Sequence, residues 1–73
     1  MNEHDMVVLT QSLPDRGLMA GDVGAIVFVH EAGKSYEVEF VAGSGATIAQ
    51  VTLDASDIRP VATSEILHVR SVA

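Results

Sequence analysis

Apolar and polar residues alternate most regularly over Ser35–Val41, where Tyr36, Val38 and Phe40 fall on one side and Ser35, Glu37 and Glu39 on the other. That is the period of a half-buried strand, because successive Cβ atoms point to opposite faces of a sheet. The period returns after Ala42-Gly43-Ser44-Gly45-Ala46, with Ala49, Val51 and Leu53 set against Gln50, Thr52 and Asp54. The two runs are expected to pair as an antiparallel hairpin. Upstream, Met6-Val7-Val8-Leu9-Thr10 is apolar and β-branched without a helical period, which predicts a first strand over 5–9. Between Gln11 and Asp22, Pro14, Asp15-Arg16-Gly17 and Gly21-Asp22 supply too many turn formers for a helix. A long surface loop is expected there, with Leu13 and Leu18 tucking its ends against the core.

The stretch Leu18–Val29 turns through glycine directly into an apolar run. Counting by twos from Val23 puts Val23, Ala25, Val27 and Val29 on one side, all apolar, and Gly24, Ile26, Phe28 and His30 on the other. The uniformly apolar set is expected to face the core, which turns Ile26 and Phe28 outward beside Val41 of the next strand. Two large apolar side chains on one exposed strand face tend to be covered. The cover is either the chain's own tail, through Ile66, Leu67 and Val69, or another protein or a second copy. Candidate partner-binding residues are therefore Ile26, Phe28, His30, Val41, Ile66 and Val69.

Glu31-Ala32-Gly33-Lys34 reads as a hairpin loop in which Gly33 takes a positive φ. Asp54-Ala55-Ser56-Asp57 has the length of one 3-10 turn capped by Asp54. A fifth strand follows over Ile58–Val61, and Pro60, lacking an N–H, belongs on a sheet edge. In the tail, Glu65–Arg70 fits a sixth strand or a single helical turn, and the strand is expected. The sum is an all-β chain: a small SH3-like barrel of five short strands over 1–62, and a tail over 63–73 packed as a strand on the barrel or on a partner. An OB-fold needs a helix between its third and fourth strands, for which Gly43–Ala46 has no room.

Composition narrows the partners. Seventy-three residues make one domain, and without cysteine it has neither a disulfide nor a thiolate zinc site. Ten acids against four bases leave a net charge of −6, which repels a polyanion and suits a basic protein partner or simple solubility. Met1-Asn2-Glu3-His4-Asp5 does not resemble the basic start of an export signal, and the longest apolar run, Ala25–Val29, is far short of a membrane-spanning helix. A soluble, cytoplasmic protein is expected.

No reactive constellation emerges. Gly33-Lys34-Ser35 ends like a phosphate loop, yet Phe28 stands where that loop needs glycine and a strand follows instead of a helix. Gly43-Ser44-Gly45 lacks the third glycine of a dinucleotide fingerprint. His4, His30 and His68 have no second ligand at metal-binding spacing. Asp54 with Asp57 belongs to a turn, and Glu37 with Glu39 to a solvated strand face, so neither carboxylate pair sits in the enclosed cleft that acid catalysis requires. The expectation is a chain that is not an enzyme and needs neither cofactor nor metal.

From Leu18-Met19-Ala20-Gly21-Asp22-Val23-Gly24-Ala25-Ile26-Val27, through Gly33–Phe40, Thr47–Leu53 and Ile58–Val61, to Glu65–Arg70, the chain resembles an uncharacterised family of small bacterial proteins known as a domain of unknown function. The resemblance implies no activity; by analogy with other small genes it implies an antitoxin-like or accessory partner of another small protein. Gly21-Asp22-Val23-Gly24 is also similar to the KOW motif of transcription and ribosomal proteins, which implies a nucleic-acid or ribosome-associated domain as the alternative. Against that alternative, Arg16, Lys34, Arg59 and Arg70 are scattered and aromatic residues for base stacking are few.

Overall fold

The structure is a computed structural model that describes residues 1–72. Five strands, β1 (Met6–Leu9), β2 (Val23–His30), β3 (Ser35–Val41), β4 (Thr47–Asp54) and β5 (Ile58–Pro60), form one antiparallel sheet in the order β4-β3-β2-β1-β5. The all-β architecture expected from the alternation is present, with β4 and β5 as the outer strands. Single 3-10 turns occupy Pro14–Arg16, Glu31–Gly33 and Ala55–Asp57.

The core is built where the alternation is clearest. Tyr36, Val38 and Phe40 of β3 face Ala49, Val51 and Leu53 of β4, and all six are buried. Val7 and Leu9 of β1 and Ile58 of β5 complete the same cluster. Each Val, Leu, Ile or Phe of the cluster contributes about 1.5–3 kcal/mol on leaving water. Leu13 and Leu18 pair through both main-chain bonds, at 2.9 and 3.1 Å, and the pair folds the long loop so that Leu18 is buried and Leu13 packs on the cluster. The expected tucking of both leucines is thus seen.

β2 departs from its expected parity. Ile26 is completely buried opposite Val38, and Ala25, opposite Glu39, faces outward. The register then slips: Ile26 pairs with Val38 but Phe28 pairs with Glu37, so Val27 is an extra residue with no partner. This β-bulge reverses the faces. Beyond it Val29 lies opposite Tyr36 and packs on the core, while Phe28 is exposed, as expected for both. Before it, the expected assignment is inverted, and Ile26 rather than Val23, Ala25 and Val27 is the core residue. Gly24 permits this, since a Cβ there would lie 2.8 Å from Val38 Cγ1 and 2.9 Å from Phe40 Cε1.

The hairpin after β2 takes Gly33 at φ 95° as expected, but Glu31 and Ala32 precede it at φ 47° and 56°. Three consecutive left-handed residues include two whose Cβ atoms oppose that geometry. The turn before β5 is closed by the Asp57 carboxylate, which accepts from the Asp54 N–H at 3.3 Å. Pro60 sits on the outer strand, and because Val61 N–H reaches inward to Met6 O at 3.4 Å, the Pro60 nitrogen faces away from β1.

Residues 61–72 contain no strand, so the sixth strand expected over Glu65–Arg70 is not formed. A turn at Thr63–Ser64, closed by Glu65 N–H to Ala62 O at 3.0 Å, redirects the chain after β5. Side-chain bonds then hold it where a strand ladder is expected.

Candidate interaction surface

On the outward side of β2, β3 and β4, Phe28 meets His30 edge to face, with ring centroids 4.7 Å apart at 63°. His30 reaches across to β3, its Nε2 lying 3.1 Å from Glu37 Oε2, and the Thr52 hydroxyl on β4 donates to the same oxygen at 2.9 Å. The His30 bond above all, and then the Thr52 bond, hold the Glu37 carboxyl below its ordinary range. At the other end of β4, Thr47 Oγ1 donates to Glu39 Oε2 at 2.8 Å. Both glutamates of β3 therefore lean over β4.

Val41 is exposed on the same side but at the far end of β3, roughly 13 Å along the strand from Glu37, with Glu39 between. Phe28 and Val41 are thus separated from each other by the carboxylate of Glu39 and do not form one apolar patch. Ile26, expected to join them, cannot touch any partner because none of its surface reaches solvent.

The second feature is the tail. Arg59 forks onto Glu65 with two bonds of 2.7 Å, and Glu65 Oε1 also accepts the Ala62 N–H at 2.7 Å. These bonds hold the Glu65 carboxyl down to about 2. Further on, Arg70 forks onto Asp22, Nε to Oδ1 at 2.7 Å and Nη2 to Oδ2 at 2.6 Å, and also donates to the Gly17 carbonyl at 2.9 Å. Asp22 simultaneously accepts the Met19 N–H at 2.8 Å, so a single carboxylate fastens both the long loop and the tail. Arg70 first, and the Met19 amide to a smaller extent, lower the Asp22 pKa against the opposing effect of burial.

Between the tail and the sheet lies an open groove of about 570 Å3, whose walls include Val23, Phe40, Val41 and Ile48 on the sheet side and His68–Val72 on the tail side. Val41 and Val69 lie on its opposite walls. Val69 nevertheless remains 89% exposed and Ile66 94% exposed. Of the six residues singled out in the sequence, the structure joins Phe28 with His30, sets Val41 and Val69 on the walls of one groove, leaves Ile66 in solvent, and withdraws Ile26 into the core.

Sequence reasoning misses Asp22, Arg59, Glu65 and Arg70 as a set. The Arg59–Glu65 pair straddles Pro60 closely enough to be guessed, but Asp22 and Arg70 stand 48 positions apart and no local pattern links them. Arg16 is likewise invisible: its guanidinium donates to the Gln50 carbonyl at 3.1 Å, far along the chain. Among the described residues, no three histidine or carboxylate side chains converge to hold a metal ion. Nor, among them, is any helix long and apolar enough to cross a membrane.

A family model for a domain of unknown function, DUF4926, matches residues 3–60. The chain belongs to that family. The match spans all five strands and stops where the tail begins. No curated protein matches the chain, and no solved structure does.

Proposed function

We propose that this DUF4926 domain is a non-catalytic protein-interaction module, an accessory or antitoxin-like partner of another protein, that makes contact through its tail and the adjoining groove. One observation carries the reading. The tail is fastened by two forked arginine–carboxylate pairs and yet presents Ile66 and Val69 almost fully to water. Loose tails expose apolar residues at little cost, whereas a fastened tail that does so holds a preorganised contact surface. The strand order β4-β3-β2-β1-β5, with a 3-10 turn between the last two strands, supports an SH3-like reading of the scaffold. The net charge of −6 favours a basic partner, and with Arg16, Arg59 and Arg70 all bonded within the chain it opposes the KOW-type nucleic-acid reading.

The test is affinity capture from host extract with mass spectrometry, alongside sedimentation of the isolated protein, comparing wild type with an Ile66→Glu/Val69→Glu variant. Loss of a captured protein or of self-association, with the amide spectrum of the sheet unchanged, is the expected result. Identical capture and identical mass for the two proteins overturn the tail as the contact surface.

A further inference from the structure

β4 is an outer strand whose open side is only partly occupied. The Gln50 carbonyl turns away from β3 and accepts from Arg16 Nη2. Both main-chain groups of a strand residue point the same way, and the direction alternates along the strand, so Gln50, Thr52 and Asp54 all address the open side. The Asp54 N–H is taken by the Asp57 carboxylate. Among the described residues, the Gln50 N–H and both main-chain groups of Thr52 have no bonded partner there, and both residues are exposed. An unpaired edge is a template for any extended chain, and natural proteins guard such edges with charge. Thr47–Leu53 has no charged residue, no proline and no glycine. Arg16, projecting from the Pro14–Arg16 turn, is its guard.

Apart from Arg16, the charge over this edge is acidic. Glu37 and Glu39 are drawn over β4 by Thr52 and Thr47, and neither pairs with an arginine or lysine among the described residues. The geometry points to the β4 edge as the place where an extended, positively charged segment of a protein partner adds as a strand, its main chain on Gln50 and Thr52 and its cations over Glu37 and Glu39. This rests on the interaction-module reading but uses a different surface from the tail. A second copy of the chain fits the edge less well, because across a two-fold its own Glu37 and Glu39 meet their like.

The experiment follows amide hydrogen exchange by NMR in the full chain during titration with a peptide of alternating lysine and valine about eight residues long. A glutamate–valine peptide of the same length is the control. The lysine peptide is expected to slow exchange at Gln50 and Thr52, and added salt to weaken it. Arg16→Ala tightens binding by up to about tenfold, the worth of one hydrogen bond that the incoming strand no longer displaces. Glu39→Gln weakens it by roughly twofold to fivefold. Gln50→Pro removes an outward N–H without touching the β3 ladder and abolishes the protection; if it disturbs the fold, Arg16→Ala and Glu39→Gln decide alone through their opposite signs. No protection at about 1 mM peptide, in wild type and Arg16→Ala alike, overturns the proposal. So does equal protection by the glutamate peptide, or protection that appears with protein concentration alone, which assigns the edge to a second copy. Peptide effects confined to Ile66, Val69 and the groove overturn the edge while leaving the interaction-module reading standing.

Discussion

The sheet and the tail are held by different forces. From β1 to β5 the chain buries Val7, Leu9, Ile26, Val38 and their neighbours, and among the described residues no polar or charged one is buried. Over 61–72 no residue is buried, and the tail keeps its place through Arg59–Glu65 and Arg70–Asp22. Burial of apolar side chains is indifferent to pH and is not weakened by screening, whereas ion pairs at a surface respond to pH and are weakened by salt. The lesson is that one small chain combines a permanent scaffold with an attachment that solution conditions can loosen. The boundary between the two regimes coincides with the end of the family match at residue 60.

The largest expected effect on the scaffold is at Ile26. Ile26→Ala leaves a cavity against Val38, and unfolding in urea is expected to lose about 2–5 kcal/mol, whereas Phe28→Ala, two residues on but outward, changes it by less than about 1 kcal/mol. Equal losses at the two positions break the assignment of the bulge to Val27. Gly24→Ala comes next, because the added methyl meets Val38 and Phe40, and about 1–3 kcal/mol is expected to be lost in the same assay. Ala32→Gly has the opposite sign: relieving a Cβ at φ 56° is expected to stabilise by about 0.5–1 kcal/mol.

The attachment is expected to behave otherwise. Arg70→Gln releases the tail, so protease cleavage within 61–72 speeds up severalfold while the urea midpoint of the sheet barely moves. A midpoint that falls as far as in Ile26→Ala means that the tail belongs to the cooperative core. Acid gives the gentlest version of the same comparison. Glu65 and Asp22 have their pKa values lowered in the folded chain, Glu65 from 4.5 to about 2, so their contribution is complete above the ordinary carboxylate range and is lost as pH falls through the lowered values. Exchange and cleavage of the tail are therefore expected to rise between pH 4.5 and about 2 before the sheet unfolds. A tail that stays protected at the acid end removes the ion pairs as its fastening.

Much of this scaffold is legible in the order of residues. Strands β3 and β4 follow from strict alternation, the 3-10 turn from Asp54–Asp57, and the positive φ at Gly33 from the need to reverse the chain. The candidate surface is less legible. Alternation places Phe28 and Val41 outward, where they are found, but the patch they were to share with Ile26 does not exist. Parity counting assumes an unbroken ladder, and one unpaired residue at Val27 means that a single count cannot hold on both sides of it: it holds at Phe28 and Val29 and is inverted at Ala25 and Ile26.

What the sequence alone determined is what neighbours in the chain impose on one another: the period of two, the turn chemistry and the acidic balance. What only the tertiary structure decided is what depends on register and on distant partners. The bulge at Val27 is a matter of register with β3, and Gly24 beside it leaves the room that Val38 and Phe40 occupy against β2. The tail is no strand, and its Arg70 is instead bonded to a carboxylate 48 positions away. Strand propensity is a local preference worth about 1 kcal/mol, and a long-range contact can override it.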